Sequence, residues 1–385
     1  MKWQRKAAIW LLAAWALVGA PAMAADRLHR VLFQREGQRQ TVEGRLLLTA
    51  QDGGMLLESR DGMLWAITPE ELVDRSAASL PFEPFTPDEL GRRLLAELPP
   101  AFDVLHTSHY LILHDTSRVY AQWCGSLFER LYMAFTNFWR RRGFDIQEPE
   151  FPLVAIVFAD RNAYMRYSAP EVGEAIESII GYYSLRSNHM VMYDLTGTQA
   201  AGRAPRGGSS TAQINALLAR PGASRQVATI VHEATHQIAF NCGLHIRYSD
   251  CPRWFSEGIA VYFETPDLTS ARGWRGIGAV NSDRLDRFHQ YMRRRPADSL
   301  STLLRDDRRF LDAKRALDAY AEAWSLTYFL LRRYPNKYIE YLRRLSDKPP
   351  LVEDGPERRL LEFREVFGDL SELDAEFLRF MARAR

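Results

Sequence analysis

The pattern H-E-x-x-H, formed here by His232, Glu233 and His236, limits the fold of this chain more than any other feature. In the apolar stretch around it, Ser224 can cap the start of a helix and Gly243 can end it. Residues four apart share one face of a helix, so both imidazoles can bind one Zn²⁺ about 2.1 Å away. Glu233 then lies beside the open coordination position, where its carboxylate can accept a proton from a metal-bound water.

The alternative to a metal site is an ordinary helix whose histidines and glutamate hydrogen-bond within a core or lie at the surface. The neighbouring residues make this helix apolar, as shown by Val227, Ile230, Val231 and Ile238. Imidazole and carboxylate groups on a buried helix are costly unless a partner satisfies them. The apolar setting therefore favours a metal site.

Two histidines do not complete a catalytic zinc site, which has three protein ligands and one open position. The extended pattern H-E-x-x-H-x-x-G-x-x-H is absent, because Ala239 stands at its glycine position and Cys242 at its last histidine position. His245 and Asp250 are near in sequence, but both lie beyond the predicted end of the helix and are weak candidates. The pentapeptide alone leaves the third ligand open.

The segment WFSEGIAVYFE, from Trp254 to Glu264, resembles the second zinc-binding helix of the gluzincin metallopeptidases, the group that includes thermolysin. In that group a W-x-x-E-G-x-A-x-Y-x-E type sequence follows H-E-x-x-H by about twenty residues, and here twenty residues separate His236 from Glu257. The resemblance implies that Glu257 is the third zinc ligand. Glu264, seven residues later on the same helical face, is a candidate to orient a ligand histidine, the alternative being a solvated glutamate.

A larger part of the chain, roughly residues 103–383, is similar to the bacterial DUF1570 proteins, which are peptidase-like members of the gluzincin clan with no settled activity. The runs that carry this similarity, besides the two motif segments, are HYLILHDT, FPLVAIVFADRNAY, GYYS and MYDL. The resemblance implies a zinc-peptidase scaffold and gives no substrate.

The gluzincin resemblance also implies a tyrosine or histidine, on a later helix, that stabilises the oxyanion of the tetrahedral intermediate. Tyr320 is the candidate, because it begins the next long apolar helical stretch. The alternative is that Tyr320 belongs to a helical core stripe with Trp324, Thr327 and Tyr328.

Substrate binding can be approached through the same resemblance. The strand HMVMYDL, residues 189–195, precedes the motif helix and is a candidate edge strand for pairing with a substrate backbone, or else an ordinary sheet strand. The G-x-M-E-N stretch of the aminopeptidases, whose glutamate holds the substrate amine, is absent from this sequence. An endopeptidase is therefore expected rather than an aminopeptidase.

Cys242 and Cys251 bracket the loop between the two motif helices. We expect a disulfide between them, which would close a loop of about ten residues, stabilise the fold by roughly 2–3 kcal/mol and hold the two helices in register. The alternative is that the two sulfurs bind zinc. Cys124 lies in an apolar helical pattern and is expected to be a buried free thiol.

The order of patterns along the chain predicts an α+β fold, with a gluzincin-like core of a small mixed sheet followed by helices. Residues 25–75 alternate in short apolar runs broken by Asp-Gly turns, which predicts a small β domain. Residues 76–101 are interpreted as a linker and a short helix, and residues 102–385 as the peptidase domain. The Gly- and Arg-rich segment 197–211 is expected to be a lid or a flexible loop.

The first 24 residues have the features of an export signal: a basic start, an apolar run and the small-residue cleavage pattern ending at Ala24. An uncleaved anchor is the alternative. Cleavage of the signal after Ala24 removes three of the 50 Lys and Arg and none of the 48 Asp and Glu, which leaves the mature chain with a net charge of −1. That balance gives no reason to expect nucleic acid as a partner, and no later stretch is apolar enough to span a membrane. The oligomeric state is left open.

These patterns together predict an exported zinc-dependent peptidase, periplasmic or secreted, that acts on a peptide or protein. His232, His236 and Glu257 are the expected Zn²⁺ ligands, and Glu233 is the expected general base. Two other functions remain open: a non-catalytic cell-envelope binding module on the same scaffold, and a hydrolase of a non-peptide amide such as cell-wall material.

Overall fold

The computed structural model describes residues 27–196, 211–265, 268, 274 and 276–385. Two five-stranded sheets come first and a helical part follows, so the α+β prediction is confirmed. The expected export signal and most of the expected lid, residues 197–210, lie outside the described residues.

The N-terminal sheet is antiparallel, in the order β4-β3-β2-β1-β5. A tight turn at Glu36-Gly37, where both residues have positive φ, joins its first two strands. Val31 and Phe33 are fully buried on one face of the sheet and form a small apolar core with Met55, Leu57 and Ile67. The strands are β1 (Arg27–Arg35), β2 (Gln38–Thr49), β3 (Met55–Ser59), β4 (Leu64–Ile67) and β5 (Leu72–Pro81).

The fifth strand runs through the start of the segment that the sequence assigns to a linker. Strand β5 pairs with β1, with Arg75 opposite Val31 and Ser76 opposite Arg30. The run Ser76-Ala77-Ala78-Ser79 has no alternating apolar pattern, so this strand forms because of its partner rather than its own sequence. The predicted short helix follows as α1 (Pro87–Glu97), capped by Thr86 and Glu89 in a capping box.

The second sheet is mixed, in the order β6-β7-β8-β10-β9. Its three central strands are parallel to one another, while β6 and β9 are antiparallel to their neighbours. The elements are β6 (Asp103–His106), β7 (Tyr110–His114), α2 (Arg118–Arg140), β8 (Leu153–Phe158), α3 (Arg161–Val172), β9 (Gly181–Tyr183) and β10 (His189–Tyr193).

Of the two interpretations of HMVMYDL, an edge strand or an ordinary sheet strand, the structure has the ordinary sheet strand, β10. Strand β10 pairs with β8 on one side and with β9 on the other, so it is internal and cannot accept a further strand. The edge belongs to the three-residue strand β9, because the chain turns back at Ser184–Asn188 and places β9 outside β10.

The described residues after β10 are mainly helical, and helices α5 and α6 carry the two motifs. The elements are α4 (Thr211–Leu218), α5 (Pro221–Asn241), α6 (Arg253–Phe263), α7 (Ser282–Met292), α8 (Ser299–Arg305), α9 (Arg308–Leu311), α10 (Ala316–Arg333), α11 (Pro335–Ser346), α12 (Pro356–Phe367) and α13 (Leu370–Met381). Within the described part of the chain, no helix has the length and apolar character needed to cross a membrane.

The start of α5 is one turn earlier than predicted. Its N-cap is Arg220, and Ser224 lies inside the helix, because Pro221 occupies the first turn, where its fixed φ suits the helix and its missing N–H costs nothing. The end agrees with the prediction: the helix stops at Asn241, and Gly243 has a φ of +79°.

Candidate metal centre

Helices α5 and α6 bring three ligand atoms to one point. The Nε2 atoms of His232 and His236 lie 3.2 Å apart. The Oε2 atom of Glu257 lies 3.1 Å from the first and 3.4 Å from the second. Side chains of all three residues are only 11–13% exposed, so water does little to screen their charges. Within the described residues, no other group of three or more His, Cys, Asp or Glu side chains is arranged to hold a metal ion.

The spacing of these three atoms fits a tetrahedral ion. Ligands about 2.0–2.1 Å from a tetrahedral Zn²⁺ lie about 3.3–3.4 Å from one another. The three measured separations, 3.1, 3.2 and 3.4 Å, are close to that value. Two imidazole nitrogens and a carboxylate are also the donor set of many catalytic zinc sites. The residues therefore fit a zinc ion.

The carboxylates of the cluster favour a positive charge at its centre, as the pKa values of His232 and Glu257 show. Burial lowers the pKa of His232, but hydrogen bonds to Glu257 and Glu264 outweigh burial and raise that pKa to about 10. Burial raises the pKa of Glu257, but His236 and His232 outweigh it and hold that pKa well below the usual range. Protonated His232 thus carries the positive charge that a metal cation would otherwise supply.

Glu264, the candidate for orienting a ligand, contacts the far side of His232. Its Oε2 atom lies 3.3 Å from Nδ1 of His232 and 3.4 Å from a guanidinium nitrogen of Arg284. A carboxylate at Nδ1 keeps the proton on that nitrogen and leaves the Nε2 lone pair free for a cation. Glu264 is therefore placed where a residue that orients a metal-bound histidine would be.

Glu233 lies beside the cluster and is held by the edge strand. The backbone N–H of Tyr183, in β9, donates a 3.0 Å hydrogen bond to its Oε2. Burial raises the pKa of Glu233, and the positive charges of His232 and His236 oppose that rise without cancelling it. A carboxyl group with a raised pKa can both accept and return a proton near neutral pH.

Tyr320, in the second turn of α10, lies close enough to Glu257 to feel its charge. The negative charge of Glu257 is the largest cause that raises its pKa, and burial is the second. Its ring packs edge-on against Phe310 at 5.2 Å, and the guanidinium of Arg284 lies 5.8 Å from the ring centre. The phenol is therefore protonated at neutral pH and can donate a hydrogen bond.

Gly258 lets α6 approach α10 closely. A Cβ atom at this position would lie 2.3 Å from Oγ1 of Thr327 and 2.9 Å from the carbonyl oxygen of Ala323. Only glycine fits without a shift of one helix. The small residue after Glu257 therefore sets the position of the ligand helix.

The expected disulfide between Cys242 and Cys251 is wrong for this structure, in which both cysteines are free thiols. The two sulfurs have different surroundings. Cys242 is buried beside Tyr132, and the charges acting on it are those of Glu148 and Arg140. The Cys251 sulfur lies 3.6 Å from Nδ1 of His245. Cys124 is buried and free, as predicted.

The two weak candidates for third ligand are engaged elsewhere. His245 is buried and contacts Cys251. Asp250 accepts a hydrogen bond from Nε of Arg359 at 3.1 Å, and Lys348 lies 3.6 Å from it. Neither belongs to the cluster formed by His232, His236 and Glu257.

Sequence reasoning missed two residues that contact the site. Tyr183 acts through its backbone N–H, for which the side chain gives no signal. Arg284 lies in α7, after a segment with no motif, and its contacts to Glu264 and to the Tyr320 ring depend on helix packing. The local signs that a helix starts there are Asn281, which caps α7, and Asp283 in its first turn.

Comparison with known proteins supports the expected resemblance to the DUF1570 family over part of the chain. No curated protein matches the chain. The region matched by a family model is narrower than residues 103–383, but it includes both motifs and Tyr320. Residues 226–352 match the family DUF1570, and its description, a protein of unknown function, gives no activity.

Proposed function

We propose that the protein is a zinc-dependent peptidase of the gluzincin type that acts on a peptide or protein substrate after export. The observation that carries this proposal is the meeting of three ligand atoms within 3.1–3.4 Å of one another, beside the hydrogen-bonded carboxylate of Glu233. A site that only stabilised the fold would have no need of such a carboxylate, and structural zinc sites tend to close the fourth position with a protein ligand.

The ligand set would be His232, His236 and Glu257, with Glu264 orienting His232. Zn²⁺ bound there would supply a Lewis acid that lowers the pKa of a bound water toward 7 and polarises the scissile carbonyl.

Glu233 performs the proton transfers in this proposal. Its carboxylate accepts a proton from the attacking water, and the carboxylic acid so formed protonates the leaving nitrogen as the C–N bond breaks. Its raised pKa suits both steps, because the group has to be deprotonated first and acidic afterwards. The Tyr183 N–H holds Oε2 and so fixes the direction of the carboxylate.

Tyr320 is proposed to stabilise the oxyanion. Its pKa is raised, so the phenol retains its proton and can donate to the developing negative charge. The guanidinium of Arg284, 5.8 Å from the centre of the Tyr320 ring, adds a positive charge near that phenol.

The experiment that tests the proposal measures metal content and hydrolysis on the same preparations. Wild type, Glu233→Gln and Glu257→Ala are analysed by mass spectrometry for zinc and then incubated with a peptide library and, separately, with cell-wall material. Glu340→Gln, which changes an exposed carboxylate paired with Arg344, is the control. We expect Glu233→Gln to keep zinc and lose hydrolysis, and Glu257→Ala to lose both.

The other outcomes favour the other functions. Zinc in the wild type without hydrolysis of any peptide or cell-wall amide would indicate a binding module. Cleavage of cell-wall amides alone would indicate the non-peptide hydrolase. Equal zinc content in wild type and Glu257→Ala would contradict the ligand assignment.

A further inference from the structure

The buried guanidinium of Arg247 joins three separate parts of the fold. Arg247 lies in the loop between α5 and α6, and its Nη2 donates to Oε1 of Glu58, in β3, at 2.6 Å. Its Nη1 donates to the carbonyl oxygens of Gly62, at 2.7 Å, and Leu185, at 3.3 Å. Gly62 precedes β4, and Leu185 lies in the turn between β9 and β10. Arg247 therefore connects the N-terminal sheet to the β9–β10 hairpin and to the loop that joins the ligand helices.

Further contacts hold the hairpin against the N-terminal sheet. The backbone N–H of Leu64, the first residue of β4, donates to the carbonyl oxygen of Arg186 at 2.8 Å. The Arg186 guanidinium lies 5.2 Å from the ring centre of Trp65. Glu58 itself is fixed from its other side, because its Oε2 accepts hydrogen bonds from Arg45.

The hairpin in turn contacts the motif helix. The Tyr183 hydroxyl donates to Oδ1 of Asn188 at 2.7 Å, and the Asn188 amide donates to Asn241 of α5 at 2.8 Å. Gln237, one residue after His236, donates to the carbonyl oxygen of Asn188 at 2.9 Å. The same hairpin supplies the Tyr183 N–H that holds Glu233.

We propose that the N-terminal sheet is a positioning element of the catalytic site, with Glu58 and Arg247 as the positioning residues. The sheet fixes the β9–β10 hairpin, and the hairpin directs the Glu233 carboxylate through the Tyr183 N–H. Breaking a buried ion pair leaves a charge without a partner, so loss of the Glu58 charge loosens the hairpin. The link between Glu233 and catalysis rests on the proposed function, whereas the mechanical link between the sheet and the hairpin does not.

Hydrogen–deuterium exchange on the full chain tests the mechanical link directly. Glu58→Gln is compared with Glu71→Gln, since both neutralise one carboxylate of the N-terminal sheet that pairs with an arginine. Glu71, in the turn between β4 and β5, is the control because it accepts hydrogen bonds from Arg35 of β1 and from the backbone N–H of Thr68 in its own turn, away from the β9–β10 hairpin. We expect peptides covering residues 179–193 to exchange about tenfold faster in Glu58→Gln, with no change in Glu71→Gln.

Arg247→Lys is the second variant if Glu58→Gln does not fold. Lysine keeps the positive charge beside Glu58 but has no guanidinium group, whose second nitrogen donates to the carbonyl oxygens of Gly62 and Leu185. We therefore again expect faster exchange over residues 179–193. Equal protection of those residues in wild type and the variant would overturn the proposal.

Kinetics then test the catalytic consequence. In Glu58→Gln, we expect kcat for peptide hydrolysis to fall about tenfold while KM and zinc content stay at the wild-type values, because binding is intact and the base is misdirected. Unchanged kcat together with faster hairpin exchange would contradict the positioning role. Absence of hydrolysis in the wild type would instead count against the proposed function, and the exchange result would still decide the mechanical link.

Discussion

His232 and Glu264 face each other across the two ligand helices, with Nδ1 of the imidazole 3.3 Å from Oε2 of the carboxylate. The opposite nitrogen of the same ring faces Glu257 at 3.1 Å. One carboxylate therefore fixes the tautomer of the ring and the other shares the proposed metal with it, an arrangement typical of metal-bound histidines.

Replacing Glu264 is expected to weaken metal binding without removing it. Glu264→Gln loses the charge that keeps the proton on Nδ1 of His232, so zinc affinity should fall about 10- to 100-fold. Competition with a chromogenic chelator measures the affinity. Glu365→Gln, at an exposed carboxylate that contacts Arg344, is the control and should bind zinc like the wild type. Equal affinity of Glu264→Gln and the control would show that the contact does not support the metal.

Tyr320→Phe tests the proposed oxyanion donor. Loss of one such donor typically lowers kcat about 100-fold or more, and KM and zinc content should not change. Tyr328→Phe is the control, because Tyr328 lies two turns further along α10, where it stacks on Trp324 at 5.4 Å. If both variants have the same kcat, Tyr320 is part of the helical core stripe and not a catalytic residue.

Gly258→Ala tests how tightly α6 packs on α10. The added methyl group would meet Thr327 and Ala323, so we expect the free energy of unfolding to fall by about 2–3 kcal/mol. Gly222→Ala is the matched control in α5, since a Cβ there meets no atom within 4 Å and alanine is the better helix former. Urea unfolding of both variants measures the difference. A Gly258→Ala protein as stable as Gly222→Ala would show that the two helices are not in close contact.

His189 predicts a loss of stability in acid. Burial lowers its pKa to about 4, with Asp61 opposing and Arg247 adding to that shift. A histidine with a lowered pKa stays neutral in the folded state and gains a proton in the unfolded state below about pH 6.5, so its cost rises as the pH falls from 6.5 to 4. At pH 5 this difference is on the order of 2 kcal/mol.

The measurement compares wild type with His189→Gln, which cannot take up a proton. Urea unfolding at pH 7 and pH 5 should show a smaller loss of stability in the variant than in the wild type. Because both proteins share every other titrating group, identical losses would mean that His189 is accessible to water and protons in the folded state.

The local parts of the site could be predicted from sequence because the spacing of their residues along the chain matches the period of a helix or a local backbone requirement. His232 and His236 are four apart and share one face of α5. Glu264, seven residues beyond Glu257, is the C-cap residue directly after α6, and its carboxylate contacts His232. Gly243 ends α5 because its positive φ is a local backbone requirement. These features depend on a few adjacent residues.

The features that were missed or left open depend on contacts distant in sequence. Whether β9 or β10 forms the edge is decided by the pairing of β10 with β8, more than thirty residues earlier. Strand β5 exists because β1 is available to pair with it. For the cysteines, the spacing gives only the length of the loop, whereas a disulfide also depends on the directions of the two Cβ atoms.

The unpaired state of Cys242 and Cys251 has a practical consequence for how the site is assembled. The ligand helices are held by packing, such as that of Gly258 against Ala323, and by the hydrogen bonds of the intervening loop, such as that between Arg247 and Glu58. We therefore expect the site to assemble without an oxidation step. Protein produced in a reducing cytosol should have the same arrangement of His232, His236 and Glu257 as protein produced in an oxidising compartment, and thiol reductants should leave it intact.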